Sequence, residues 1–393
     1  FKQKTAYEIS TRDWSSDVCS SDLDAALQEW RRQTSALTQA EPDALLQELG
    51  LRLQGQPGPR LLVDGVWFSR THGGITRVWE QIMHTWNLPG LLSPQAPVGL
   101  VERSSKLAIP AAMAVLECEA VDPLDPQAVA QVGGLNRSWV QDWGAEVFLS
   151  SWITSSAPTT PACPELALVH DCLPERYGVP EPLKSLRQRW LKGAAAHLAV
   201  SASTAADLEV LLSRQPGRVP WCHPAPAELF AATEADPAAE RLWLRLRQKA
   251  SLCPPYVLLP ATSAIGSYKN PELLAEALTA PALQPLQLVL CGIGADQRRQ
   301  ELEARFPALE GRCVAAGFTD VELALAYGHA LAVVIPSHAE GFGLPAIEAM
   351  ASGATVLVAD SRGLREAGAG AAMRLDRKST RLNSSHEWIS RMP

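Results

Sequence analysis

Chemistry concentrates between Pro336 and Gly353, where the chain reads PSHAEGFGLPAIEAMASG. Two carboxylates, Glu340 and Glu348, stand eight positions apart across a Gly-Phe-Gly-Leu-Pro turn. A carboxylate has paired acceptor oxygens, so one can hold two sugar or ribose hydroxyls while the other meets charge developing at a reacting carbon. Gly341 and Gly343 allow a tight loop, and Pro345 suits the first helical position, where no amide hydrogen is needed. A helix N-terminus is therefore expected to point into a crevice. There the unpaired amides of Phe342, Gly343 and Leu344, with the positive end of the helix dipole, can hold a phosphate. Glu348 is expected in the first turn of that helix. Singly, Glu348 could merely complement the dipole and the glycines could make an ordinary connection; as one string in a strand, loop and helix context they favour function.

Other groups stand at the ends of apolar runs. His170-Asp171 closes the run in LALVHDCLPERYG, a place suited either to acid–base work or to a structural histidine. Gly292 and Gly294, in CGIGAD, follow a second run and either cradle a ligand or only turn the chain. Ser201, Ser203 and Thr204 read as a helix cap. Trp139, Trp143 and Trp152 could stack on a sugar face in a groove, with core packing as the plainer reading.

Strands and helices must deliver these residues. Residues 60–68 (RLLVDGVWF) read as a buried strand, and His72-Gly73-Gly74 leads into a helix over 75–86, where Ile75, Val78, Trp79, Ile82 and Trp86 recur at helical period. Apolar runs at 147–149, 166–170 and 197–200, separated by helical or turn segments, complete a first parallel sheet. Residues 235–250 read as a charged helix and a hinge. Beyond it strands at 256–259, 287–291, 312–315, 332–335 and 355–358 alternate with helices at 271–277, 296–305, 321–327 and 345–352. Such alternation with short connections implies a second doubly wound parallel sheet, so the fold class is α/β.

Composition narrows the function. A net charge of -7 disfavours a nucleic-acid track while leaving room for a local pocket for a small anion. No stretch approaches the roughly 20 apolar residues of a membrane span. The eight cysteines show no close pairing and no zinc spacing, which reads as buried reduced thiols in a cytoplasmic compartment. Residues 13–23 and 376–386 can be read back through the genetic code as the two strands of one sequencing adapter. Residues 1–23 and 376–393 are accordingly expected to be artefact and are set apart from the fold, with 24–59 a helical leader and linker.

The string Glu340-Gly-Phe-Gly-Leu-Pro-x-x-Glu348-Ala-Met-Ala-x-Gly resembles the signature of family 4 retaining glycosyltransferases. The resemblance implies a GT-B fold of two Rossmann-like domains facing a cleft: 60–250 on the acceptor side and 251–375 for the nucleotide-sugar donor, with the C-terminal end truncated. It implies that Glu340 lies beside the transferred sugar, that Glu348 binds the ribose, and that the amides from Gly341 to Leu344 meet sugar and diphosphate. In Ser267-Tyr268-Lys269-Asn270-Pro271, Lys269 would neutralise the departing diphosphate. Gly317-Phe318-Thr319-Asp320 is similar to the segment that reads the nucleobase, Gly73-Gly74 to a loop approaching the donor phosphate, and His170 to a histidine near the reacting sugar. Ser263 and Tyr268 depart from the pattern, which often has basic residues there. The implied reaction retains the anomeric configuration, uses no metal and no cofactor beyond the nucleotide sugar, and delivers the sugar to a glycan, a lipid-linked sugar or a small molecule; a lipid-linked acceptor would bring peripheral membrane association. A nucleotide-sugar epimerase or phosphorylase, or a non-catalytic binding module, stays open as an alternative.

Overall fold

A computed structural model describes residues 58–375 apart from 72, 89–90, 93–96, 232–236 and 261–262. The expected leader and both adapter-like ends lie outside the described residues. The described chain packs as two units: 58–200 with 204–224, and 225–375 with 201–203.

The first unit is built on a six-stranded sheet. Its strands are β1 (Leu61–Asp64), β2 (Val98–Glu102), β3 (Ala114–Glu117), β4 (Val147–Ser150), β5 (Glu165–Val169) and β6 (Ala196–Ala199). Their order is β3-β2-β1-β4-β5-β6, every neighbour parallel. Helices α1 (Gly74–Trp86), α2 (Pro126–Trp143), α3 (Leu173–Tyr177) and α4 (Leu183–Gly193) lie in the crossovers, and α5 (Ala202–Leu211) follows the last strand. The strand expected over 60–68 ends at Asp64, and a 3-10 turn, Val66–Ser69, follows. Asp64 explains the break. Its carboxylate is fully buried and takes Arg103 Nε at 2.7 Å, Asn136 Nδ2 at 2.9 Å and Thr154 Oγ1 at 2.6 Å. A charge so deep is tolerable only with its acceptor sites filled, and filling them gathers β2, α2 and the β4 loop around the end of β1.

The second unit carries the other six-stranded sheet. It comprises β7 (Tyr256–Leu259), β8 (Gln287–Cys291), β9 (Cys313–Ala316), β10 (Ala332–Ile335), β11 (Val356–Ala359) and β12 (Met373–Leu375), in the order β12-β11-β10-β7-β8-β9, all parallel. The helices are α6 (Pro237–Lys249), α7 (Pro271–Ala277), α8 (Ala295–Arg305), α9 (Asp320–Gly328), α10 (Leu344–Ala351) and α11 (Arg362–Gly368). Strands β7, β8, β10 and β11 are buried along their whole length, as their nearly continuous apolar sequences, broken only by Gln287, lead one to expect of strands covered on both faces. Val257, Leu259, Leu288, Leu290, Val334 and Leu357 form one core with Leu274 of α7 and Leu302 of α8. Four expected elements, β7, α7, β8 and β10, keep the boundaries read from sequence.

Several expectations are corrected. The segment read as a hinge, α6, packs into the second unit: Trp243 stacks on His329 with ring centroids 4.1 Å apart and lies 6.3 Å from Tyr256. Trp139 and Trp143 follow the plainer reading and pack, partly buried, against Leu62, Val101, Val140 and Phe148, with Arg60 4.5 Å over the Trp143 ring. Trp152 leans on Trp67, ring centroids 4.4 Å apart. The Ser201 hydroxyl, read as part of a helix cap, donates to the Gly341 carbonyl, and the amides of Ala202 and Ser203 go to Glu366 at 2.7 and 2.9 Å. Cys172, Cys291 and Cys313 are buried as expected, whereas Cys222 and Cys253 are exposed. Among the described residues no helix is long and apolar enough to cross a membrane.

Candidate active site

Strand order reverses in the second sheet between β7 and β10, which pair through Ala332 with Val257 and Val333 with Leu258. At such a reversal the loops leaving the carboxyl ends of the two strands run to opposite sides and open a crevice. The loop after β10 carries Glu340, and the loop after β7 carries Lys269. Three contacts join them: His338 N–H donates to the Tyr268 carbonyl at 2.7 Å, Asn270 Nδ2 donates to the Pro336 carbonyl at 3.4 Å, and Lys269 Nζ donates to Glu340 Oε1 at 2.8 Å. The Lys269 ammonium also sits 5.4 Å from the centroid of the Tyr268 ring. Asn270 adopts a left-handed conformation (φ 50°, ψ 50°), one that Asn tolerates better than most residues, and so turns the chain into α7 directly after the lysine. The ion pair faces a pit walled by Leu259, Ile335, Pro271 and Pro345, with Ser337 at its edge.

Glycine packing holds the Glu340 loop in place. Gly343, the N-cap of α10, has φ +122°, and a Cβ there would meet Leu364 Cδ2 at 2.9 Å. From the other side, a Cβ on Gly363 of α11 would collide with the Glu340 carbonyl oxygen. Gly363 was not singled out in the sequence, because its role appears only where α11 lies against the loop. The Phe342 ring is buried, so that residue anchors the loop with its side chain and can offer a ligand only its backbone.

Helix α10 begins at Leu344, which puts Pro345 at the second helical position, not the first. Glu348 is the fifth helical residue, in the second turn instead of the first, and only 3% of its surface is exposed. The helix starts one residue early because Gly343 can adopt the capping conformation that Leu344 cannot share. The amides of Gly343 and Leu344 lie at the helix start, where no intrahelical acceptor exists.

Other residues singled out by sequence occupy the same carboxyl edge. Gly292, after β8, has φ +109°, and Gly294 caps α8 with φ +79°, lifting Ile293 to 76% exposure between them. Phe318 follows β9, half-buried, just before the Thr319–Glu322 capping box that starts α9. Lys269, Glu340, the α10 N-terminus, Gly292 and Phe318 thus come from the ends of four adjacent strands, β10, β7, β8 and β9.

In the first unit, Gly73 is the N-cap of α1 with φ +121°, and Gly74 is the first helical residue, both exposed. His170 follows β5 directly. Arg187 of α4 holds the chain beside it, bonding the Asp171 carbonyl and meeting Glu175 Oε1 at 2.6 Å. Burial, with a smaller contribution from the Arg187 guanidinium, pushes the His170 pKa down to about 3. Its imidazole is therefore neutral at physiological pH, able to donate one hydrogen bond and accept another but not to carry a positive charge.

Comparison with known proteins bears on the second unit most directly. Residues 248–369, the stretch holding Lys269, Gly292, Phe318, Glu340 and Glu348, match the family described as Glycosyl transferases group 1. A curated relative, the D-inositol 3-phosphate glycosyltransferase of Frankia alni, is 32% identical over 204 residues, covering 48% of this chain and 48% of the relative. The chain thus aligns with about half the length of that relative. Among solved structures, WaaG, a glycosyltransferase of lipopolysaccharide biosynthesis, superposes with TM-score 0.62 at 14% identity over 80% of this chain and 85% of its own. HepE of Anabaena, in complex with UDP-glucose, gives TM-score 0.54 at 18% identity over 78% and 82%. Sucrose-phosphate synthase from Thermosynechococcus elongatus gives 0.56 at 18% identity over the same shares, 78% and 82%. At these identities the structures speak for the fold alone. The chain has the two-sheet α/β architecture of GT-B proteins, and its residues 248–369 are similar to a group 1 glycosyltransferase domain.

Proposed function

We propose that the protein is a retaining, metal-independent glycosyltransferase of family 4 type that moves a sugar from a nucleotide-diphosphate sugar to an acceptor hydroxyl. The observation that carries this reading is the Lys269–Glu340 pair at the strand reversal of a domain similar to group 1 glycosyltransferases. An ammonium beside a carboxylate can serve the two ends of a glycosyl donor. Lys269 would meet the negative charge that grows on the diphosphate as the glycosidic bond breaks, and Glu340 would face the sugar, where positive charge develops. The first amides of α10 and the glycines at 292 and 294 would hold the diphosphate, Glu348 the ribose, and the backbone around Phe318 the base. In the first unit, Gly73 and Gly74 would leave room for phosphate and acceptor, and His170 would orient hydroxyls as a neutral hydrogen-bonding group.

The UDP-glucose complex of HepE supports a UDP-sugar as the first donor to try, and the inositol-phosphate relative supports a small polyol phosphate among the acceptors beside glycans and lipid-linked sugars. The test is a panel of nucleotide sugars read by released nucleotide. Replacing Glu340 by Gln or Lys269 by Ala is expected to lower turnover by about a hundredfold or more while the fold survives, as judged by circular dichroism. Wild-type turnover in both variants would overturn these assignments. Retention is read from the anomeric proton of the product by NMR, and metal independence from turnover in excess chelator.

A further inference from the structure

The backbone anchors of Lys269 and Glu340 are tied together by the 2.7 Å bond between His338 N–H and the Tyr268 carbonyl, so the two charges can part only by side-chain motion. Of the two, Lys269 carries its charge on a long four-carbon stem, whereas the Glu340 main chain is pinned by the close approach of Gly363. Both groups are largely covered, with 20% of the Lys269 side chain and 12% of the Glu340 side chain exposed. A pyrophosphate that claims Lys269 therefore takes it from Glu340. The carboxylate is then left at a pit walled mostly by Leu259, Ile335, Pro271 and Pro345, with Ser337 at its edge, next to an anion. A covered charge that loses its partner is costly unless new donors reach it. Sugar hydroxyls can supply those donors, whereas a nucleoside diphosphate without its sugar has only the ribose hydroxyls, assigned above to Glu348.

Resting on the glycosyltransferase reading above, we propose that Lys269 exchanges between Glu340 and the donor diphosphate, and that Glu340 thereby makes the site selective for the intact nucleotide sugar over the spent nucleoside diphosphate. The loss of the sugar then returns Lys269 to Glu340 and loosens the leaving product.

Isothermal titration of the full chain tests this with inorganic pyrophosphate, with UDP, ADP and GDP, and with the matching glucose nucleotides. Glu340→Gln is expected to bind pyrophosphate and the preferred nucleoside diphosphate roughly tenfold tighter than wild type, with no gain for the nucleotide sugar. Lys269→Ala is expected to weaken both. Glu340→Ala serves as a second variant in case Gln perturbs the loop. Wild type by itself gives an independent reading, since it should hold the intact nucleotide sugar at least as tightly as the corresponding diphosphate. Unchanged or weaker diphosphate binding in both Glu340 variants overturns the exchange while leaving the proposed activity standing, and so does a wild type that prefers the bare diphosphate. If wild type binds neither diphosphates nor nucleotide sugars, the glycosyltransferase reading falls and the exchange falls with it.

Discussion

Among single residues, Lys269 and Glu340 are 71 positions apart in sequence and 2.8 Å apart in space, joined by an ion pair that neither motif announces by itself. Their types were legible because an ammonium and a carboxylate at strand ends are useful to a phosphate-bearing substrate; their pairing was not, since it depends on β7 and β10 being neighbours. His170 shows the same division. Its place at the end of β5 could be read from sequence, but its neutrality follows from burial and from Arg187. The sign of the resulting pH effect is fixed. The folded imidazole titrates near 3 and the unfolded one near 6.5, so above 6.5 both forms are neutral and the group is without effect on stability. Below 6.5 only the unfolded chain takes up the proton, and stability falls as pH drops towards 3. Between pH 7 and pH 5 this contributes a loss of roughly 2 kcal/mol. Denaturant titration of wild type against His170→Gln should show a shallower pH slope in the variant, and a histidine that titrates normally by NMR would refute the assignment.

Among elements, the α10–α11 contact decides where the Glu340 loop can lie. The sequence Gly341-Phe342-Gly343-Leu344-Pro345 foretold a tight loop and a helix start, and both are present one residue from their expected bounds. What it could not foretell is that α11 closes on the loop so tightly that Gly363 has no room for a methyl group. Gly363→Ala is therefore expected to push the Glu340–Gly341 peptide away from its position, at a stability cost of about 1–3 kcal/mol. Nucleotide-sugar binding should weaken with it. Thermal unfolding and titration of the variant measure the two effects, and an unchanged melting temperature would show that α11 does not brace the loop. The 3-10 turn after β1 teaches the same lesson from the other unit. RLLVDGVWF has the composition of one long strand, yet it ends after four residues at Asp64, whose partners are Arg103, Asn136 and Thr154, and turns through a 3-10 helix in which the Trp67 amide donates to Ser151.

Across the whole molecule, two parallel sheets of six strands each follow from alternation of short apolar runs with helices. The division between units was harder to read. Charged residues dominate 235–250 and suggest a solvated connector, yet α6 buries Trp243 and Leu246 and joins α9 and β7 in the second unit. Truncating a buried aromatic costs about 3–5 kcal/mol, so Trp243→Ala should lower the midpoint of the unfolding transition that includes the second sheet. A free hinge would leave that midpoint unchanged, and a denaturant melt followed by circular dichroism distinguishes the two.

By itself the sequence determined which residue types stand at the strand ends, the α/β class, and the Glu340–Glu348 string with its helix start, because these depend on composition and local spacing. Tertiary structure alone decided that β10 lies beside β7, that Lys269 therefore meets Glu340, that Glu348 is buried in the second turn of α10, and that α11 needs a glycine where it crosses the loop. Strand order and helix contacts are settled by packing between segments distant in the chain, and a local pattern of residues carries no record of which distant segment will fill the space beside it.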